Sequence, residues 1–197
     1  MQLISDEYRE QQKRLHDGLV IGGQPTIYGG AAKLYAPLVA QMIDKLEPSH
    51  ILDYGCGRHL VLPQALKDLG VRRPFKYQAY DPAVERFAGA PIPAEMVVCI
   101  DVLEHIEEDC IDDVLDHLES LTEAVGLFTI DTGPAMKSLP DGRNAHILQR
   151  PPEWWLPRLM CRFDLQTFQM THAHKFYVVV HAKPAAIEDS DGKAIRA

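Results

Sequence analysis

A chain of 197 residues with 46% hydrophobic and 24% charged side chains is sized and composed for one globular domain with a real core. Its formal net charge of −8 and pI near 5.5 argue against a general nucleic-acid binder, which needs a basic footprint. The four cysteines (Cys56, Cys99, Cys110 and Cys161) have no paired spacing, MQLISDEYREQQKR is no signal segment, and no apolar run reaches membrane-spanning length. Reduced thiols in a cytoplasmic protein without membrane contact are expected.

In chain order, the first residues read as a polar helix and GLVIGGQPTIYGGAA as a glycine-rich loop. Leu34, Leu38, Met42 and Leu46 recur at four-residue spacing and predict an amphipathic helix over 31–46. HILDYG is a strand, followed by a helix over 60–69 that Gly70 stops. FKYQAYD and EMVVCID are the second and third strands. Residues 107–123 read as a helix with Ile111, Val114, Leu115, Leu118 and Leu121 on one stripe. Glu107, Glu108 and Asp109 would then sit in its first turn, where the helix dipole favours negative charge. GLFTIDT is a fourth strand, and PPEWWLPRLM a helix begun by prolines. DLQTFQM and FYVVVHAK predict an antiparallel pair across THAHK, and 184–197 a loose tail. Strands alternating with helices give an α/β class: an open, mostly parallel sheet with its site at the strands' carboxyl ends.

Chemistry concentrates at those ends. Asp53, Gly55 and Gly57 follow the first strand, where glycines let backbone approach a ligand and the next helix offers free N–H groups. A dinucleotide fingerprint needs a further glycine at position 60; Leu60 stands there and counts against a nicotinamide oxidoreductase. Asp81 ends the second strand, where a carboxylate accepts from ribose hydroxyls. The third strand runs into VVCIDVLEHIEED, which places Asp101, Glu104 and His105 at a ligand-binding edge. Residues 131–155 are too many for a simple connection and contain Asp131, Lys137, Arg143, Asn144 and His146, a polar set suited to a hydrophilic acceptor. Trp154 and Trp155 read as anchors of a short helix rather than lid aromatics, and His172 and His174 as solvated turn residues.

Asp53-Tyr54-Gly55-Cys56-Gly57, Asp81 and DVLEHI, in that order, resemble the motifs of class I S-adenosylmethionine (SAM)-dependent methyltransferases over residues 30–182. The resemblance implies a Rossmann-like sheet whose last strand is antiparallel. Here the sheet is abbreviated after the second strand, because PAVERFAGAPIPA has no room for the family's usual helix and strand. It implies SAM as cofactor, held by Asp53, Gly55, Cys56, Gly57, Asp81 and Asp101, with Cys99, Ile100 and Asp101 the candidates for adenine. It places Asp101, Glu104, His105 and His146 on the catalytic side, with His105 or His146 taking the acceptor's proton. The methyltransferase domain would span 31–183, with 1–30 a helix and loop over the site and Tyr28, Gly29 and Gly30 folding over the pocket. The expected reaction is methyl transfer to an oxygen or nitrogen of a small polar molecule.

A subset of that family, ubiquinone-biosynthesis O-methyltransferases and small-RNA 2′-O-methyltransferases, carries an acid-x-x-Glu-His segment that binds a divalent metal. Asp101, Glu104 and His105 resemble that segment, and His146 is a further candidate ligand for Mg²⁺, Mn²⁺ or Zn²⁺. Two alternatives stay open. One is a metal-assisted 2′-O-methyltransferase acting on a nucleic-acid end, opposed by the acidic charge. The other is a catalytically silent SAM-binding partner subunit, opposed by the intact motif residues and the polar loop.

Overall fold

The computed structural model describes residues 2–16 and 30–184, together with the backbone of 187–188 and 194–195. Among the described residues, five helices and eight strands follow one another: α1 (Asp6–His16), α2 (Gly30–Leu46), β1 (His50–Tyr54), α3 (Val61–Asp68), β2 (Lys76–Tyr80), β3 (Ala94–Ile100), α4 (Ile111–Leu121), β4 (Thr122–Asp131), α5 (Pro152–Arg162), β5 (Phe163–His172), β6 (Lys175–Ala182), β7 (Ile187–Glu188) and β8 (Ala194–Ile195). Six strands form one sheet in the order β2-β1-β3-β4-β6-β5. β1 to β4 run parallel, and β6 inserts antiparallel between β4 and β5. Between β2 and β3 there is only a single 3-10 turn, Glu85–Phe87, as the short connection requires.

Successive strand residues point to opposite faces, and the two faces have separate cores. Leu52, Tyr54, Val97, Cys99 and Phe128 pack beneath α4 and α5; Ile51, Met96, Val98, Ile100 and Leu127 pack beneath α2 and α3. These strands are apolar on both sides because both sides are covered. Trp155 is wholly buried in the first core and its indole N–H donates to the Arg150 carbonyl at 3.0 Å, the helix-anchor role. Trp154 is half-buried beneath the Arg158 guanidinium, 3.7 Å from the ring centre.

Three expectations change. In α2 the buried face is Tyr35, Ala36, Val39, Met42 and Ile43, while Leu34 and Leu46 are 57% and 42% exposed. α4 begins at Ile111, so Glu107, Glu108 and Asp109 precede the helix and Asp112 and Asp113 occupy its first turn. β4 takes over directly at Thr122, whose hydroxyl caps the Leu118 carbonyl at 2.7 Å. Within 184–197, the described backbone of Ile187–Glu188 pairs antiparallel with Ala194–Ile195. Most of the glycine-rich loop, including Tyr28 and Gly29, lies outside the described residues, whereas Gly30 opens α2. No described helix is long and apolar enough to cross a membrane, and all four cysteines are free thiols.

Candidate active site

One cavity gathers the turns after β1, β2 and β3 and is closed by α1. Asp53, Gly55, Cys56, Gly57, Asp81, Asp101 and His105 line it, with Leu3, Ile4, Tyr8 and Leu15 opposite. The turn after β1 is built by conformation. Gly55 and Gly57 have φ of 79° and 64°, the left-handed region glycine adopts without strain. The N–H groups of Gly55 and Cys56 both donate to the Tyr80 carbonyl, at 2.7 and 3.1 Å. Leu60, just before α3, is also left-handed at φ 48°, so the position where a dinucleotide fingerprint needs glycine keeps the backbone form without the residue.

The Asp81 carboxylate ties two turns together. Its Oδ2 accepts from the Gly57 N–H at 3.0 Å and its Oδ1 from Ala83 N–H at 2.9 Å. Each oxygen has a second lone pair for a ligand hydroxyl. Asp53 is buried and accepts a hydrogen bond from the Tyr77 hydroxyl of β2. Burial pushes its pKa up to about 7, against the lowering effect of that bond and with a further push from the Asp81 charge.

The end of β3 carries the second half of the site. Asp101 is left-handed, φ 60°, and its N–H donates to Thr129 Oγ1 at 2.9 Å. The 3-10 turn Leu103–His105 then sends Glu104 inward and leaves His105 at the cavity. His105 Nδ1 lies 2.7 Å from the Ala145 carbonyl, and His146 Nδ1 the same distance from the Gly133 carbonyl. A carbonyl only accepts, so both Nδ1 atoms are donors and in each neutral ring the basic lone pair is on Nε2. The two rings meet edge-on with centroids 4.8 Å apart. His146 itself is buried and is not part of the cavity wall.

Glu104 is fully buried. One oxygen, Oε1, accepts from the Asp131 N–H at 2.8 Å; the other, Oε2, has no hydrogen-bond partner among the described residues. Burial, and then the charge of Asp101, raise the Glu104 pKa well above the usual carboxylate value. Donor atoms of Asp101, Glu104 and His146 lie within 4.8 Å of one another, and His105 is not in that group. Two carboxylates, one of them with an orphaned oxygen, and an imidazole oriented by a backbone carbonyl fit a divalent cation. A cation of the chain's own is also present: Lys175 Nζ is 2.9 Å from Asp131 Oδ2 and 3.9 Å from Asp101 Oδ1. Burial opposes its charge, but the bond to Asp131 and the surrounding carboxylates hold its pKa above the ordinary lysine value.

Two other polar residues of 131–155, Asn144 and Arg143, are spent on the loop itself. Asn144 accepts from the N–H groups of Ala135 and His146 and donates to the Ala135 carbonyl. Arg143 pairs with Asp141 on the surface at 2.6 Å. The wall opposite is mostly apolar: Ile4, just before α1, and Tyr8 and Leu15 of α1 pack on Leu139 and Ala145, with Gln12 the polar member, donating to the Tyr8 hydroxyl at 2.6 Å.

Three contacts at the site had no local signal in the sequence: those of Lys175, Tyr77 and Glu107. Lys175 opens β6 opposite Asp131, a position that only the antiparallel register reveals. Glu107, expected to serve the start of a helix, receives the N–H and hydroxyl of Ser5, both at 2.8 Å, and so holds the N-terminus of α1 against the site. Two hydrogen bonds to one part-buried carboxylate are worth about 2 kcal/mol. Glu107→Ala is therefore expected to loosen α1, seen as faster amide exchange there with exchange in β3 unchanged. Equal protection of α1 in both proteins would mean that Glu107 is not the latch.

Solved structures share this architecture at low sequence identity. Burkholderia thailandensis 1,6-didemethyltoxoflavin-N1-methyltransferase, with bound 1,6-didemethyltoxoflavin and S-adenosylhomocysteine, aligns with a TM-score of 0.60 at 15% identity, covering 92% of each chain. Magnesium protoporphyrin IX methyltransferase from Synechocystis, with bound S-adenosylhomocysteine, aligns at 0.51 and 14%, covering 89% of this chain and 94% of that one. Human N-acetylserotonin methyltransferase with SAM aligns at 0.53 and 16%, covering 75% and 51%. The sheet is thus that of the Rossmann-like class I methyltransferases. A family model described as a methyltransferase domain matches residues 29–182, and the chain belongs to that family. No curated protein matches the sequence significantly.

Proposed function

We propose that this protein transfers the methyl group of SAM, its cofactor, to an oxygen or nitrogen of a small molecule, with His105 accepting the proton. The observation that carries this reading is the continuity of one cavity from the Asp53, Gly55, Gly57 and Asp81 turns to His105. Asp81 is assigned to the ribose hydroxyls, Asp53 to the cationic methionine end, and the backbone of Gly55, Cys56 and Gly57 to close contact with the cofactor. Asp101 borders both halves. Methyl transfer from a sulfonium is an in-line displacement, so the chain mainly aligns the acceptor and removes its proton. His105 Nε2 has the lone pair for that step, and the Ala145 carbonyl holds the ring still.

The sequence pointed to a hydrophilic acceptor; Asn144 and Arg143 are used within their loop, and the opposing wall is Leu3, Ile4, Tyr8 and Leu15 with one amide, Gln12, bonded to the Tyr8 hydroxyl. An acceptor with an apolar body and one hydroxyl or N–H suits that wall better. The 1,6-didemethyltoxoflavin-N1-methyltransferase, which holds 1,6-didemethyltoxoflavin together with S-adenosylhomocysteine, is consistent with a small-molecule acceptor beside the cofactor.

Calorimetry with SAM and with NAD, followed by labelled-methyl transfer to a metabolite extract and to RNA, tests the reading. SAM is expected to bind, NAD is not, and the label is expected in the small-molecule fraction. NAD binding without SAM binding, or label confined to RNA, would sink it.

A second reading is favoured by the orphaned Glu104 Oε2: Asp101, Glu104 and His146 would hold a divalent cation, which would supply a positive charge to polarise an acceptor oxygen. In the first reading Glu104 is instead a neutral acid and Lys175 is the counter-ion. Transfer is then expected to be unchanged in chelator, and Mn²⁺ calorimetry to show no heat at this site. Loss of activity in chelator, restored by Mn²⁺, would decide for the cation.

A further inference from the structure

Tyr77 is not part of the cavity wall, yet its hydroxyl bonds the one carboxylate of the first motif that is. In the parallel pairing of β1 with β2, Tyr77 lies opposite Ile51 and Ala79 opposite Asp53. Tyr77 and Asp53 therefore share a sheet face as diagonal neighbours, and the phenol reaches along that face to Asp53 Oδ2. We propose that Tyr77 is a positioning residue for the cofactor site: its hydroxyl fixes the Asp53 carboxylate and keeps it anionic for the cationic methionine end of SAM. This rests on the assignment of Asp53 to the cofactor made above.

The surroundings of Asp53 explain why such a donor is needed. Asp81 follows β2, Cys56 lies in the turn after β1, and Cys99 comes from β3; each interacts with Asp53 electrostatically. Arg58 and His59 border the same cavity ahead of α3. A carboxylate buried beside a second carboxylate and two thiols tends toward its neutral form, which cannot complement a cation. Tyr77 works against that tendency. Its own ionisation is pushed far upward by burial, then by the Asp53 charge, so it remains a donor at every working pH.

The sign follows. Asp53 becomes anionic as pH rises through about 7, so cofactor affinity is expected to rise over that interval and then level off. A hydrogen bond to a charged group, once removed, is expected to move this midpoint up by about one to two pH units. S-adenosylhomocysteine, which retains the amino-acid end, is the probe, titrated from mildly acidic to mildly alkaline pH. Tyr77→Phe is expected to bind it about tenfold more weakly than wild type below neutrality, with the ratio closing toward one at alkaline pH. Titration of the probe's own amine cancels in that ratio. In an Asp53→Asn background, Tyr77→Phe is expected to change nothing further.

A ratio that is constant across pH would reduce Tyr77 to packing and overturn the proposal, as would wild-type affinity in Tyr77→Phe. An undiminished effect in the Asp53→Asn background would overturn it too. Absence of binding by the wild type at every pH would instead overturn the cofactor reading on which the proposal stands.

Discussion

Replacing Gly55 by alanine is expected to destabilise the fold by about 2–4 kcal/mol and to remove measurable SAM binding. Two independent effects add at this position. Gly55 has φ 79°, and a left-handed conformation costs a residue with a Cβ about 1–2 kcal/mol. The new Cβ would also stand 2.3 Å from Val102 Cγ2 and 2.8 Å from Cγ1, inside any real contact distance. Val102 is β-branched and its rotamer is stiff, so relief requires moving its backbone. That backbone leads into the 3-10 turn of Glu104 and His105, and one methyl group would therefore disturb both halves of the site. Urea denaturation and calorimetry with S-adenosylhomocysteine measure the two losses. The double variant Gly55→Ala, Val102→Ala separates them: it restores space but not backbone preference, and about half of the stability is expected to return. A single variant as stable and as tight-binding as wild type would refute the clash.

The succession of strands along the chain was legible because they are period-two or continuous apolar runs, and their carboxyl ends locate the site in any open α/β sheet. For that reason Asp53, Gly55, Gly57, Asp81, Asp101 and His105 could be picked out in advance, and all of them line the cavity. The face of α2 was misjudged for a geometric reason. Each four-residue step turns about 40° beyond a full revolution, so Leu34 and Leu46 lie about 120° apart on the helix. Both ends of that row leave the core, and the buried face is carried by Tyr35, Ala36, Val39, Met42 and Ile43, whose smaller and aromatic members do not advertise a stripe. Residues whose meaning comes from distant partners could not be found at all. Glu107 serves the site through Ser5, separated from it by 102 residues. Lys175 does so through β6 register, and Tyr77 through a diagonal across β1 and β2. In the polar loop, Asn144 and Arg143 satisfy a long irregular segment's own backbone and charges, a use that composition alone does not distinguish from ligand binding.

His105→Asn is expected to lower kcat by about 10²- to 10⁴-fold while leaving S-adenosylhomocysteine affinity within about twofold. Asparagine is chosen because its amide nitrogen can take the place of Nδ1 and keep donating to the Ala145 carbonyl, now at 2.7 Å. The anchor is retained while the Nε2 lone pair and the ring contact with His146 are lost, so unchanged urea stability beside a fall in kcat reports proton removal rather than a collapsed loop. His146→Asn is the necessary comparison. His146 is buried, stands outside the cavity wall and belongs with Asp101 and Glu104 as a donor set, whereas His105 does not. If His105 is the base and no cation is needed, His146→Asn is expected to cost stability and only a modest part of kcat. If a cation works here, His146→Asn is expected to weaken Mn²⁺ binding and His105→Asn to leave it intact. Single-turnover transfer of a labelled methyl group gives the chemical step directly, and Mn²⁺ calorimetry gives the second readout. A His105→Asn enzyme with wild-type single-turnover rate would remove His105 from the chemistry, and a larger loss in His146→Asn without any Mn²⁺ effect would transfer the proton-accepting role to the buried ring.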